Sequence, residues 1–505
     1  MTFHSLLYGL FLLSVFVIYW SVQIQQLRLA TLLVASLVFY ASLQIQYIPL
    51  LLISVLINFW LGLRVGEHSI QRRHGKNWQI SNEEWQFAQQ YWNWKRLILL
   101  VLGILLNVLL LLSFKYIPFI FTSINLIINW PKTLEIANWF SSHTIVPLGL
   151  SFFSFECIAY LIDVYRGAPA ENNFLKFATY KFFFPKLISG PITRYHNLAN
   201  QIKTLEFPHS DRLVEGCWLI TCGAVKKSLL ADNLGILVDL IFRDVQRAGS
   251  SDLWIATLAY GLQIYLDFSG YVDIARGSAL LLGLNLPHNF DYPYFSTSIA
   301  EFWRRWHITL GDWLRNYIYF PLGGSRKGLI ITCLNLIIVM IIAGIWHGAA
   351  WGFVVWGGMH GLALAIHRIN EAISNRLSLL KIWWESLPGV VTAWFLTQVT
   401  VFMAWILFRL PKFQDSGWVL QHLWGQNSDI QFAQKVYGEA LGISQIQIIV
   451  MIALLCWFML AGYLINRVIK LELNLPIKVL LVPICLYTVW LLAPEGGLPF
   501  IYFDF

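Results

Sequence analysis

The sequence predicts an all-α, polytopic membrane protein, and three observations carry that reading. Of 505 residues, 57% are apolar and only 12% are charged, about half the charged share of an ordinary soluble domain. The apolar residues gather into runs, many of them near the roughly 20 residues that a helix needs to cross a bilayer. The stretches between the runs are short and hold most of the charge. A disordered chain is excluded, because far more can be buried than chain entropy requires. The excess of 35 Lys and Arg over 27 Asp and Glu reads as membrane topology rather than nucleic-acid binding.

Taken in order, the run at 6–20 reads as a retained span rather than a signal peptide. No basic residue precedes it, the first being Arg28, and no small-residue cleavage site follows. Further runs cover 29–40 and 48–63. The most hydrophilic stretch, 64–96, carries Arg64, Arg72, Arg73, Lys76, Lys95 and Arg96 against Glu67, Glu83 and Glu84. Cations between spans stay cytoplasmic, so three preceding spans put the N-terminus outside. Runs then follow at 97–114, 116–130, 145–165, 174–192, 213–242, 253–267, 271–285, 329–346, 350–367, 390–409, 446–466 and 478–493. Some are interrupted by Pro, Gly or an acid, and the expectation is about eleven spans in one membrane domain covering 1–505. The six cysteines form no C-x-x-C pair and read as small core residues.

Ionisable groups at membrane depth are costly, which makes them functional candidates. In 146–167, Asp163 stands at pairing distance from Arg166, while the deeper Glu156 is expected to face a cavity. In 182–197, Pro185, Gly190 and Pro191 forbid a regular helix. Lys186 and Arg194 flank that break, either as anchors of an elbow or as a site for an anionic donor. In 260–295, Asp267 and Asp273 bracket Gly270, where the helix is expected to break. The purpose is either a polar tunnel or a kink for packing.

The richest stretch is 301–326, EFWRRWHITLGDWLRNYIYFPLGGSR. On a helical wheel, Trp303, Trp306, Leu310, Trp313, Leu314 and Tyr317 share one face. Glu301, Arg304, Arg305, Asp312, Arg315 and Asn316 share the other. One amphipathic helix along a membrane face is the expectation, with His307 neutral on the shoulder of its apolar side. In 343–361, AGIWHGAAWGFVVWGGMHG, His347 closes an apolar span. Gly344 and Gly348 beside it are read as leaving room for a ligand. His360 and His367 look like packing residues. No spacing supports a metal site, and neither a G-x-S-x-G nor a phosphate-binding loop is present.

In this order, LSFFSFECIAYLIDVYRG, FFFPKLISGPITRY, QIYLDFSGYVDIARG, EFWRRWHITLGDWLRNYIYFPLGG, GIWHGAAWGFVVWGGMHG and AWILFR resemble the membrane-bound O-acyltransferase family, in its bacterial alginate-O-acetylation branch. The resemblance covers most of 1–410 and little of 411–505. It implies a ring of tilted helices around a thinned centre, with His347 as the catalytic residue and His307 lining the same site. It implies an acyl group, most simply acetyl from acetyl-CoA, taken at the cytoplasmic face of the bacterial inner membrane. That group would pass to an exported polysaccharide through a separate extracytoplasmic acetyltransferase. No permanently bound cofactor is expected. Lys186, Arg194, Arg304 and Arg305 are the candidates for the CoA phosphates. D-alanyl transfer to an envelope polymer is the alternative. A solute carrier is a more distant one, since carriers usually show related halves and none is visible.

Overall fold

The computed structural model describes residues 3, 5–66, 94–203, 205–471 and 473–503. Among these residues there is no strand beyond one isolated bridge, Phe290 to Trp306. The helices group into two compact units. One holds residues 1–220 and 272–287, and the other holds 221–271 and 288–505. The expected cytoplasmic loop at 64–96 lies largely outside the described residues.

The first unit opens with α1 (Leu6–Ser21), α2 (Gln25–Gln44) and α3 (Ile48–Gly66), followed by α4 (Trp94–Leu111), α5 (Ile117–Ile128), α6 (Pro131–His143) and α7 (Leu150–Tyr165). Helices α3 and α4 are joined by an amide pair, Asn107 Nδ2 donating to Asn58 Oδ1 at 2.8 Å. In an apolar setting such a pair ties helices and fixes their register. Arg96, one of the cations expected in a solvated loop, is instead buried. Its guanidinium donates to the carbonyls of Val65 and Tyr165, both at 2.8 Å. It thereby satisfies backbone acceptors left over at two helix C-termini.

Next come α8 (Phe174–Phe182), α9 (Tyr195–Ile202) and α10 (Ser210–Ala224). The backbone at 183–194 is irregular, as its prolines and glycine require. Glu156 is buried. Its carboxylate holds Lys186 Nζ at 2.6 and 2.7 Å, Lys181 Nζ at 3.1 Å and the Thr193 N–H at 3.1 Å. These contacts gather the irregular segment onto α7.

In the second unit, α11 (Asp232–Phe242) precedes α12 (Ser250–Leu281), whose last residues belong to the first unit. Helix α12 runs unbroken through Gly270, contrary to the expected interruption. The glycine serves close packing instead, since a Cβ there would lie 2.8 Å from the Gly223 carbonyl oxygen. After it come α13 (Ile299–Arg305), α14 (Ile308–Leu314), α15 (Leu329–His347), α16 (Trp351–Ser374), α17 (Ser378–Glu385), α18 (Leu387–Arg409), α19 (Phe413–His422), α20 (Ile430–Ala433), α21 (Gln445–Leu464) and α22 (Leu475–Leu492).

Six helical stretches among the described residues are long and apolar enough to cross a bilayer: Gln25–Gly66, Trp94–Ile128, Leu329–His347, Leu387–Arg409, Gln445–Ile469 and Leu475–Leu492. The other runs behind the expected eleven do not qualify. α1 is shorter, the 174–192 run breaks after Phe182, and α12 carries Asp252, Asp267, Asp273 and Arg276. Large apolar side chains stay exposed along α21 and α22, while Lys181, Lys227 and Asp267 are buried. Hydrocarbon outside and satisfied polar groups inside suit a bilayer solvent. Of the cysteines only Cys157 is buried; Cys217 and Cys456 are exposed, so they are not core residues.

Candidate active site

The expected amphipathic helix is in fact two short helices, with His307 at the break. Its backbone adopts φ 44° and ψ 54°, the left-handed region that non-glycine residues enter only at a cost. What holds it there is the segment 289–291. The Ile308 N–H donates to the Asn289 carbonyl and the Asp291 N–H to the Arg305 carbonyl, each at 3.0 Å. A wheel drawn through Trp306 and His307 could not show this, because the bonds come from outside the helix.

Asn289 also fixes the imidazole. Its Oδ1 accepts from the N–H and the hydroxyl of Thr309, both at 3.0 Å, and lies 3.3 Å from His307 Nδ1. A carbonyl oxygen has no proton to give, so Nδ1 carries the hydrogen and Nε2 presents a lone pair. Complete burial pushes the His307 pKa down to about 3, which keeps the ring neutral near neutral pH.

His347 is the last residue of α15. The glycines beside it do not leave space for a ligand. A Cβ at Gly344 would fall 2.1 Å from the Phe353 carbonyl oxygen, and one at Gly348 would meet the Phe353 ring at 2.1 Å. Gly344 lets α15 and α16 pack backbone to backbone, and Gly348 makes room for the Phe353 ring. The His347 ring stands against Trp356 and Phe408 at 5.1 Å each, Phe408 being supplied by the AWILFR segment. The rings of His307 and His347 lie 6.5 Å apart, both buried.

Tyr502 completes the group and was missed by sequence reasoning, which found little in 411–505. Its ring lies 6.1 Å from His307 and 5.9 Å from His347, and 4.0 Å from Phe268. No local signal marks it, since its neighbours in space are more than 150 residues away in sequence. His360 is also closer than its separation of thirteen positions in sequence suggests. The chain turns back between α15 and α16, so the rings of His347 and His360 touch the same Trp356 indole at 5.1 and 4.8 Å. His360 Nδ1 accepts from Trp303 Nε1 at 3.3 Å.

The candidate donor-binding cations fall in different surroundings. Arg304 is exposed on α13, and Arg305 is partly exposed and paired with Glu301 at 2.5 Å. Lys186 and Arg194 belong to the first unit; Arg194 is half-buried, whereas Lys186 is buried on Glu156. Among the described residues, no three His, Cys, Asp or Glu side chains are grouped so as to hold a metal ion.

Helices long and apolar enough to cross a bilayer, together with a buried imidazole pair, define a membrane protein with an internal histidine site. The model of the membrane-bound O-acyltransferase family matches residues 105–402. The chain belongs to that family and is a multi-pass membrane acyltransferase. It is 33% identical over 469 residues to the probable alginate O-acetylase of Pseudomonas syringae pv. tomato, covering 92% of this chain and 83% of that protein. It is 34% identical to the peptidoglycan O-acetyltransferase of Helicobacter pylori over 78% of this chain and 73% of that one. The teichoic acid D-alanyltransferase of Streptococcus thermophilus is 29% identical over 44% of this chain and 56% of its own length.

Proposed function

We propose that this acyltransferase takes an acetyl group from acetyl-CoA at the cytoplasmic face of the bacterial inner membrane and delivers it across the membrane for O-acetylation of an exported polysaccharide. The observation that carries the reading is the buried pairing of His307 and His347 within an aromatic shell. The relatives named for alginate and peptidoglycan acetylation support the acetyl group and the glycan acceptor.

His347 acts as general base. A ring nitrogen takes the proton of the acceptor hydroxyl as its oxygen attacks the thioester carbonyl. The tetrahedral intermediate then collapses, the C–S bond breaks, and the proton passes to the departing thiolate. Such proton transfer is worth typically 10² to 10⁴ in rate. Direct attack by the imidazole on the thioester is the other route open to the same residue. His307 orients the reacting groups; with its hydrogen on Nδ1, its Nε2 accepts rather than donates, which suits a hydroxyl better than an oxyanion. Arg304 and Arg305, both on α13, are the cations we assign to the CoA phosphates. Lys186 is left out because the Glu156 carboxylate already holds its ammonium.

The final step on the polymer is assigned to a separate extracytoplasmic acetyltransferase, since among the described residues no stretch between helices is long enough to form a glycan-gripping domain. The test is labelled acetyl-CoA added to proteoliposomes, with and without that partner and the polymer. Thioester cleavage with ester appearing only when the partner is present supports the reading, and intact acetyl-CoA refutes it. Transfer of D-alanine instead is the outcome that the teichoic acid relative favours.

A further inference from the structure

Lys227, Asp232 and Asp267 form a buried charge cluster that the proposed chemistry does not use. The Lys227 ammonium lies 2.7 Å from Asp232 Oδ1 and 2.7 Å from Asp267 Oδ1. Its third acceptor is the carbonyl of Pro499, at 3.2 Å. An ammonium has three N–H donors, so this lysine, with a side chain 1% exposed, is fully satisfied only while residue 499 is seated. The dependence runs the other way too. Asp267 Oδ2 accepts the Ile501 N–H at 3.0 Å, and the Phe500 ring lies 4.7 Å below the ammonium and 4.6 Å from Tyr271. Leu498 packs on Gly235, where a Cβ would approach it to 2.5 Å. Five consecutive residues, 498–502, thus each have a partner in the same unit, and the last is Tyr502 beside both imidazoles. Phe268, next to Asp267 in the chain, touches Tyr502 at 4.0 Å and His307 at 4.8 Å.

We propose that Lys227 and Asp267 are positioning residues for acyl transfer, acting as a latch that seats the 498–502 segment and so holds Tyr502 against the His307–His347 pair. This rests on the reading of that pair as the transfer centre. A purely structural ion cluster would be satisfied by its own side chains. Here the cluster takes one acceptor and one donor from the backbone of a segment that ends at the imidazoles.

The test uses the full chain in liposomes with two variants. Lys227→Met removes the ammonium, and Ile501→Pro removes the single N–H that Asp267 accepts while leaving the cluster intact. Hydrogen exchange of the 498–503 amides reads seating, and acetyl transfer reads function. Both variants should accelerate exchange in that segment and lower kcat at least tenfold, with KM for acetyl-CoA within twofold of wild type. Lys227→Arg should restore much of both. If Lys227→Met does not fold, Ile501→Pro decides alone. Faster exchange with unchanged kcat, or lower kcat with unchanged exchange, overturns the latch. A wild type that leaves acetyl-CoA intact refutes the transfer reading instead, and the exchange data then still report whether the latch seats the segment.

Discussion

His307 and His347 are separated in the chain by α14, a loop and α15, yet their imidazoles lie 6.5 Å apart between ring centroids. They reach this distance by different means. His347 is carried to the end of a regular apolar helix that packs on its successor through glycine. His307 is forced into a left-handed break by a foreign segment. One histidine is positioned by regularity and the other by its interruption.

Replacing His347 by Ala is expected to abolish acetyl transfer while the protein remains folded in the membrane. The expected loss is on the order of 10² to 10⁴, read as labelled acetyl released from acetyl-CoA in proteoliposomes. Turnover above a tenth of wild type would remove His347 from the chemistry.

At His307, Asn is the informative substitution, because Asn tolerates the left-handed backbone that Ala resists. His307→Asn should fold and transfer poorly, whereas His307→Ala should additionally lose stability, by about 1 kcal/mol. A pH effect accompanies it. The folded His307 pKa is pushed down to about 3 from about 6.5 when unfolded. Below about pH 6.5 the unfolded chain therefore binds a proton that the folded one does not. Stability is full above that pH and falls as the pH drops toward 3, by about 2 kcal/mol at pH 5. The Asn variant should lose that share of the acid slope in melting curves run from pH 8 to 5.

His360→Ala should act on stability rather than on chemistry. The side chain is fully buried, and its loss would leave a cavity and an unpaired Trp303 N–H, costing about 2–4 kcal/mol. Folded yield should fall, while turnover per folded molecule stays well above that of the His347 variant. The reverse pattern, with His360→Ala dead and His347→Ala active, would exchange their roles.

The loop at 64–96 should face the cytoplasm because of its cations. Ser81→Cys, in a background without other exposed thiols, should resist an impermeant maleimide in intact cells and react after lysis. Rapid labelling from outside would invert the topology and with it the direction of transfer.

Much of this was legible in the chain. Composition alone selects a membrane solvent, because 12% charge cannot clothe so much apolar surface in water. The irregular backbone at 183–194 follows from Pro185 and Pro191, which act locally. His347 stood out by being ionisable at the end of an apolar run. In each case the cause lies within a few residues of its effect, so periodicity and residue type suffice to read it.

What only the tertiary structure decided is long-range. Gly270 breaks no helix, because its missing side chain answers to Gly223 on a neighbouring helix. The helix through His307 does break, because Asn289 and Asp291 claim backbone groups on either side of it. Gly344 and Gly348 are filled by Phe353 rather than left open. Tyr502 ends a segment whose Pro499 carbonyl and Ile501 N–H bond to Lys227 and Asp267, residues far away in sequence. A buried polar group must be satisfied by whichever partner the fold brings to it, and nothing in the local sequence names that partner in advance.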